Sequence, residues 1–358
     1  MAKYIKPDEI EEFNIKDHNF LDKTILIVGP KGVGKTTLIL DLLYWLGRRK
    51  VSVARIISKS KDANRDYADH VHPLFISSDF KPEYISSFYN RLMEIENRKD
   101  LGIIKRKQYG EKLMPSKTKH YYKQIRQKIH ELKIKITELN DLREDQVRIT
   151  RSDQREYIEN ELFRGKKDLK TAIMILDQIL NKVIKDNIQH IPRDDLSHIF
   201  FIYQNWKSIL VIDDCMENLK STRKIKALED MCANGRHFNL SLVIATQYPI
   251  IMERSQRSNI DYAFIFIDYE NLEKSWEAYG KCMTKKDFGH AMNKYAKSVG
   301  HCLVIQRTGD GTQRNSVYRY SARQRLSFKV GSHEYNEFAQ QNYDESAYLT
   351  RALETRKK

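Results

Sequence analysis

A glycine-rich segment near the start of the chain has the residue types and the spacing needed to hold nucleotide phosphates. Residues 29–36 read Gly-Pro-Lys-Gly-Val-Gly-Lys-Thr and fit the pattern GxxxxGK[ST]. The glycines let backbone N–H groups turn towards the phosphates, and the N-terminus of the following helix adds its positive end. We expect Lys35 to reach the β- and γ-phosphates of ATP and Thr36 to hold Mg²⁺ through its hydroxyl. The predicted nucleotide-binding residues are Gly29, Pro30, Lys31, Gly32, Val33, Gly34, Lys35, Thr36 and Thr37.

Two adjacent carboxylates follow a second apolar segment, which reads Ile-Leu-Val-Ile over residues 209–212. At the carboxyl end of a parallel strand, Asp213 and Asp214 would face the crevice in which ligands bind. We expect Asp213 to orient Mg²⁺ through water and Asp214 to polarise the attacking water. One of the two could instead cap a helix N-terminus, a role that Asp fills well.

A third apolar segment, residues 242–245, ends in Thr246 and Gln247. Gln247 could link the γ-phosphate or the attacking water to the sheet. The chain order of glycine loop, paired carboxylates and this glutamine is typical of P-loop ATPases with an extra strand. That strand lies between the strand of the loop and the strand of the carboxylates.

Two arginines are candidates for completing the site of a neighbouring subunit. Arg236 precedes the glutamine segment, and Arg257 follows it. An arginine supplied in trans neutralises the charge of the transition state and raises the rate by orders of magnitude. The alternative for either residue is a salt bridge at a loop or subunit surface.

These residues need a mostly parallel sheet to bring them together. Residues 24–28 and 51–57 are short, β-branched runs on either side of the glycine loop and a helical pattern at 38–46, which indicates a βαβ unit. Further strands are predicted at 208–212, 240–244, 262–267, 301–305 and 316–320, with a helix around 221–232. The last two strands flank Gly309-Asp310-Gly311, the spacing of a hairpin at the sheet edge.

The middle of the chain has a different character. Between about residues 84 and 198 there is no strand pattern, and two apolar seams of heptad type predict an antiparallel helical hairpin with its turn between 143 and 157. The seams are Ile125, Ile129, Leu132, Ile136 and Leu139, and Leu162, Leu169, Ile173, Leu176, Leu180 and Val183. Residues 98–135 carry thirteen Lys or Arg and three acids, a net charge of +10. Such a surface suits sequence-independent phosphate contacts, or it is a solvated helix face or a protein-docking surface.

Composition bounds the class of protein. The chain has 358 residues, enough for about two domains or one domain with an insertion, and a formal net charge of +15, which points to a polyanionic partner. Four cysteines without a CxxC spacing exclude a disulfide scaffold and a zinc ribbon. With no apolar run of about 18 residues and no signal-like N-terminus, we expect a soluble, intracellular protein. The predicted organisation is an N-terminal arm and first part of the P-loop domain at 1–83, a helical insertion at 84–200, a second part at 201–325 and a C-terminal tail at 326–358.

Taken together, the motifs resemble those of the A32-like genome-packaging ATPases of large DNA viruses, within the FtsK/HerA group of P-loop NTPases. The resemblance rests on Gly-Pro-Lys-Gly-Val-Gly-Lys-Thr-Thr (29–37), Leu-Val-Ile-Asp-Asp-Cys (210–215), Gly-Arg-His-Phe (235–238), Ala-Thr-Gln (245–247) and Arg-Ser-Asn-Ile-Asp (257–261), in that order. It covers roughly residues 20–80 and 200–325. Asp214 is an Asp where many cellular relatives have Glu, and the basic helical insertion is longer than the group leads us to expect.

Membership of this group would imply a RecA-like α/β fold and a ring of five or six subunits that hydrolyses ATP with Mg²⁺ between neighbours. The ring would move double-stranded DNA into a preformed capsid, with capsid or portal proteins as partners, in the host cytoplasm or in association with the virion. The matching residues are Lys35 and Thr36 for phosphate and Mg²⁺, Asp213 for Mg²⁺, Asp214 as base and Gln247 as sensor. Two alternatives stay open: a HerA-like translocase in repair or segregation, and a nucleotide-dependent assembly switch without hydrolysis.

Overall fold

The computed structural model of the protein describes residues 4–145, 152–204, 206–215, 226–307 and 315–343. The chain forms two compact units. One contains residues 1–93 together with 205–358, and the other contains residues 94–204. The second unit therefore begins ten residues later than the insertion predicted from the sequence and ends four residues later.

The first unit is built on a nine-stranded sheet in the part of the chain that the structure describes. Its order is β1-β9-β8-β7-β2-β6-β5-β3-β4. The strands are β1 (Glu11–Glu12), β2 (Thr24–Val28), β3 (Val53–Ser58), β4 (Ile76–Ser77), β5 (Ser208–Asp213), β6 (Leu240–Thr246), β7 (Tyr262–Ile265), β8 (His301–Gln306) and β9 (Ser316–Ser321).

The sheet is mostly parallel, and its centre has the strand order that the sequence predicted. Strands β7, β2, β6, β5, β3 and β4 run parallel to one another, whereas β8 is antiparallel to both β7 and β9. Strand β6, which ends before Gln247, lies between β2 and β5. This confirms the prediction of a strand between the one that precedes the glycine loop and the one that ends in the carboxylates. The predicted turn at 309–311 lies outside the described residues.

The described helices are α1 (Lys35–Arg48), α2 (Lys61–Ala68), α3 (Pro82–Leu113), α4 (Ser116–Asp145), α5 (Ser152–Asp186), α6 (Arg193–Phe201), α7 (Lys226–Asn234), α8 (Arg254–Ser258), α9 (Leu272–Tyr279), α10 (Lys285–Tyr295) and α11 (His333–Asn342). None of them has an apolar stretch long enough to cross a membrane. Helix α7 corresponds to the helix predicted at 221–232, of which the first five residues lie outside the described part of the chain.

Both faces of the sheet are buried, which explains why its central strands are mostly apolar. Successive side chains of a strand point to opposite faces. In β2, Leu26 and Val28 pack with α7 and α10 in one core cluster, and Ile25 and Ile27 pack with α1 in another. All five residues of β2 are buried. The parallel arrangement with helices on both faces is the usual environment of such strands.

Both chain ends contribute more to this unit than their polar composition suggests. The segment predicted as an arm supplies Phe13 and Phe20, which are buried, and β1 pairs with β9. Beyond the predicted sheet edge, Arg325 donates to the buried carboxylate of Asp41 in α1 at 2.7 Å. The ring of Tyr335 in α11 stacks on Phe75 with centroids 3.8 Å apart. Of the predicted tail at 326–358, the structure describes residues 326–343, and Val330 and Ala339 in this part are buried.

The second unit contains three long helices where the sequence predicted a two-helix hairpin. Helices α4 and α5 form the predicted antiparallel pair, with Lys135 bonded to Glu161 at 2.7 Å. The missed element is the part of α3 in this unit, in which the apolar residues Leu101, Ile103 and Ile104 are exposed and do not form a seam. Its end packs with the pair through Met114, Tyr122 and Leu180. Gly110 makes this approach possible, because a Cβ there would lie 2.4 Å from Leu180 Cδ2.

One residue of the predicted seam of α5 is misplaced. Ile173 is 46% exposed, whereas the neighbouring Ala172 is buried. The seam runs through two small residues that an apolar pattern overlooks, Gly165 and Ala172. A Cβ at Gly165 would lie 3.2 Å from Ile136 of α4, so the two helices are close at this point. The observed seam keeps the heptad spacing but contains Ala172 in place of Ile173.

Replacing Leu162 by Ala should lower the free energy of unfolding by about 2–4 kcal/mol, because this side chain is only 2% exposed in the seam. Replacing Ile173 by Ala should change that free energy by less than about 0.5 kcal/mol. Urea denaturation followed by far-UV circular dichroism measures both. Equal losses in the two variants would contradict the observed seam.

Candidate nucleotide-binding site

The glycine loop lies at the carboxyl end of β2 and leads directly into α1. Gly34 precedes the helix with a φ of 100°, a left-handed conformation that favours glycine. A Cβ at Gly34 would lie 2.9 Å from the backbone of Gly300, and one at Gly29 would lie 2.6 Å from Cβ of Phe266. Gly34 is therefore required by both conformation and space, and Gly29 by space. The N–H of Gly300 donates to the carbonyl of Val33 at 2.8 Å and fixes the loop to the strand region before β8.

Lys35 holds the loop in its curled form. Its ammonium donates to the carbonyl oxygens of Gly29 at 2.8 Å and Pro30 at 2.7 Å. Burial lowers the pKa of Lys35, and the negative charges of Asp213 and Asp214 act in the opposite direction. An ammonium has three N–H donors, so one remains for a phosphate oxygen while the two loop bonds are kept.

Asp213 is a nearly fully buried carboxylate, 3% exposed, at the end of β5. Its Oδ2 accepts hydrogen bonds from the hydroxyl of Tyr67 at 2.8 Å and that of Ser58 at 3.4 Å. Burial raises the pKa of Asp213, while the bond from Tyr67 and the charge of Lys35 act to lower it. Both hydrogen bonds go to the same oxygen, so Oδ1 is the atom that could hold a metal or its bound water.

Asp214 is held by the glutamine of the neighbouring strand end. Its backbone adopts a φ of 52°, and its Oδ1 accepts a hydrogen bond from Nε2 of Gln247 at 2.7 Å. The left-handed conformation turns the chain sharply after β5, so that consecutive carboxylates have different surroundings. The next residue, Cys215, donates its thiol to the Asp213 carbonyl at 3.2 Å, and burial raises the pKa of this thiol to about 12. Cys215 is therefore a neutral structural residue.

The sequence prediction missed Tyr67 and Ser58. Tyr67 lies on α2 with its side chain fully buried, and Ser58 ends β3, the strand next to β5. Burial, followed by the charge of Asp213, raises the pKa of the Tyr67 hydroxyl, whereas the side chain of Thr36 acts to lower it. Ser58 could have been found from the sequence, because it is a hydroxyl residue at the end of a predicted strand. Nothing in the spacing points to a tyrosine one helix further on.

The residues present fit a magnesium-bound nucleoside triphosphate. Mg²⁺ prefers hard oxygen ligands, keeps several waters and is usually bound through one or two carboxylates together with substrate phosphates. Thr36 and Asp213 offer a hydroxyl and a carboxylate, and the hydroxyl of Tyr67 orients the carboxylate. Burial raises the pKa of this carboxylate, and a nearby cation would stabilise its charged form.

The two candidate arginines lie at the opposite end of the sheet. Arg236 is exposed in a 3-10 turn just before β6, and Arg257 lies in α8 just before β7. Both strands run parallel to β2, so these arginines are separated from the glycine loop by a strand length, about 16 Å. Neither belongs to the site of its own chain. Arg236 is exposed, whereas Arg257 is half-buried and its carbonyl accepts from Arg307 at 2.7 Å, which makes Arg236 the better candidate for a role in trans.

Replacing Tyr67 by Phe should raise the Mg²⁺ concentration needed for half-maximal nucleotide binding by about tenfold, since it removes the bond that orients Asp213. Binding without Mg²⁺ should not change. A fluorescent ATP analogue titrated with and without Mg²⁺ gives both values. The control is Tyr320→Phe, which removes a hydroxyl bonded at 2.6 Å to another buried carboxylate, that of Asp41. An equal change of the Mg²⁺ requirement in both variants would contradict the role given to Tyr67.

Sequence relatives are found among proteins of large DNA viruses. The chain is 30% identical to an uncharacterized protein of Acanthamoeba polyphaga mimivirus over 142 residues, which is 38% of this chain and 49% of that protein. It is 23% identical over 350 residues to an uncharacterized protein of Invertebrate iridescent virus 6, covering 95% of each chain. The identity to an African swine fever virus protein is 23% over 302 residues, 82% of this chain and 79% of the other. No protein-family model matches the sequence.

Two solved structures illustrate the structural similarity. The genome-packaging NTPase of Sulfolobus turreted icosahedral virus 2, in complex with ATP-gammaS, is 13% identical with a TM-score of 0.37 over 85% of this chain and all of that one. ATPases 2 and 3 of EssC from Geobacillus thermodenitrificans are 13% identical with a TM-score of 0.44 over 89% of this chain and 43% of theirs. With such low scores, the fold assignment rests on the strand order and the glycine loop. The chain has the P-loop NTPase fold, and its sequence relatives are proteins of large DNA viruses, as the resemblance to the A32-like group led us to expect.

Proposed function

We propose that the protein is an ATPase that drives double-stranded DNA into a preformed viral capsid. The observation that carries the hydrolytic part is the hydrogen bond of 2.7 Å between Gln247 and Asp214, next to the glycine loop. A carboxylate positioned by a neighbouring strand end is what activation of water requires. The viral relatives and the ordered motifs shared with the packaging group support the DNA-moving part.

Each residue has a separate role in this proposal. The glycine loop and Lys35 bind the β- and γ-phosphates, and Thr36 and Asp213 hold Mg²⁺, which neutralises the developing charge. Asp214 accepts the proton of the attacking water, while Gln247 keeps its carboxylate in place and responds when the γ-phosphate leaves. The shift in Gln247 would pass along β6 to the opposite end of the sheet, where Arg236 lies.

The placement of Arg236 supports hydrolysis at subunit interfaces. An exposed arginine at the end of the sheet far from its own loop is free to approach the nucleotide of a neighbour in a closed ring. We propose a ring of five or six subunits, with capsid or portal proteins as partners, acting in the host cytoplasm or on the virion.

The two alternatives place different demands on the residues. A HerA-like translocase in repair or segregation would use the same site and differ in its partner. A nucleotide-dependent switch without hydrolysis needs no positioned base, and the bond between Gln247 and Asp214 is what favours the hydrolase.

The test is the rate of ATP hydrolysis with and without linear double-stranded DNA. DNA should stimulate the wild-type rate, and Asp214→Asn should lower it by about 10²- to 10⁴-fold, because the variant keeps the shape of the side chain and loses the base. ATP binding by the variant should stay within about threefold of wild type, since the phosphates are held by the loop.

The matched control is Asp186→Asn, the same chemical change at an exposed position of α5. It should leave both rates unchanged. ATP binding without hydrolysis, with or without DNA, would overturn the motor and favour the switch. Hydrolysis that DNA does not stimulate would agree with an ATPase and would contradict the proposed coupling of hydrolysis to DNA movement.

A further inference from the structure

Helix α4 carries a continuous row of basic side chains, which we call the basic stripe: Lys119, Lys123, Arg126, His130 and Lys133. The members are spaced 4, 3, 4 and 3 residues apart, which keeps them on one face of the helix. All five are exposed. At a rise of 1.5 Å per residue, the stripe is about 21 Å long.

The stripe lies beside the seam of α4 and is separate from it. The seam residues Tyr122, Ile125 and Leu139 are buried between the helices of the second unit. Within residues 116–135 the single acid is Glu131, which is outside the stripe and accepts from Gln127 at 3.0 Å. No carboxylate of α4 therefore interrupts the row.

Ion pairs neutralise two other bases of this helix and leave most of the stripe unpaired. Lys135 pairs with Glu161 and Arg143 with Glu159, both of α5. Within the stripe, Arg126 pairs with Glu111 of α3 at 3.0 Å. Lys119, Lys123 and Lys133 have no ion pair with any described residue of the chain. Three unpaired ammonium groups give this helix face a positive potential, so an extended polyanion would be bound favourably.

The composition of the stripe distinguishes between kinds of polyanion. A protein interface has an apolar core in which Lys is depleted. Apart from Tyr121, the exposed large apolar residue within residues 116–135 is Ile134, which lies at the edge of the stripe. Single-stranded nucleic acid is held by aromatic rings on which bases stack. The exposed aromatic residue nearby, Tyr121, is two positions from Lys119 and from Lys123 and so lies on the other side of the helix. Lysines without stacking partners fit the backbone of a duplex, which carries one charge per about 1.7 Å of its axis.

We propose that the basic stripe binds the phosphates of double-stranded DNA without regard to base sequence. That the duplex is DNA and not RNA rests on the proposed function. The contact itself requires neither ATP nor hydrolysis. The second unit would then hold DNA at a site separate from the nucleotide-binding sheet.

The experiment measures binding of the full chain to a fluorescently labelled 30-base-pair duplex of arbitrary sequence, by anisotropy without nucleotide, over a series of salt concentrations. The test variant carries Lys119→Gln, Lys123→Gln and Lys133→Gln. Because each phosphate contact contributes about 0.9 to the slope of log K against log salt, the slope should fall by about 2.7. The affinity at 0.1 M salt should fall by at least about tenfold, equally for duplexes of different sequence.

The control carries Lys166→Gln, Lys167→Gln and Lys170→Gln, three exposed lysines of α5 with the same change in net charge. Its slope should change by less than about 1, since these lysines are outside the stripe. Equal losses in both variants, or no loss in the first, would overturn the assignment. So would equally tight binding of polyglutamate or single-stranded DNA by the wild type. Circular dichroism establishes that both variants are folded, and their ATPase rates without DNA separate a failure of the stripe from a failure of the proposed catalytic site.

Discussion

The buried carboxylate of Asp213 is the group around which the nucleotide edge is organised. A charged oxygen pair removed from water is strongly unfavourable unless it is hydrogen-bonded and compensated by opposite charge. The chain supplies hydroxyls from Tyr67 and Ser58 and the positive charge of Lys35. These come from α2, β3 and α1, so satisfying one carboxylate fixes three elements of the fold at the same edge.

The register of the parallel strands explains how this edge is formed. Ser58 of β3 pairs with Asp213 of β5, and Asp213 pairs with Ala245 of β6. Gln247 therefore lies two residues beyond the residue of β6 that pairs with Asp213. There it donates to Asp214, whose left-handed backbone conformation turns the chain away from the strand direction. Catalytic candidates that are more than thirty residues apart in the chain become neighbours because parallel strands end together.

The helical unit obeys a different constraint. Its helices pack through narrow apolar seams with small residues, Gly110 and Gly165, at the closest approaches. A narrow seam leaves wide faces in solvent, and the chain uses one of those faces for an uninterrupted row of bases while the acids of α5 pair with bases elsewhere on α4.

Local sequence was sufficient for the glycine loop, the central strands and the pair formed by α4 and α5. Their signals are short-range: a motif between a strand and a helix, runs of β-branched residues, and heptad spacing. The strand order could also be predicted, because the motifs appear in a characteristic chain order.

The role of Tyr67 is visible only in the tertiary structure, because its hydrogen bond to Asp213 joins residues that are 146 positions apart in the chain. It also decided that the seam of α5 passes through Ala172 and leaves Ile173 exposed, because packing distance selects small residues that an apolar pattern ignores. The arrangement of Arg236 and Arg257 at the far end of the sheet likewise follows from strand direction, which pairing across the whole chain determines.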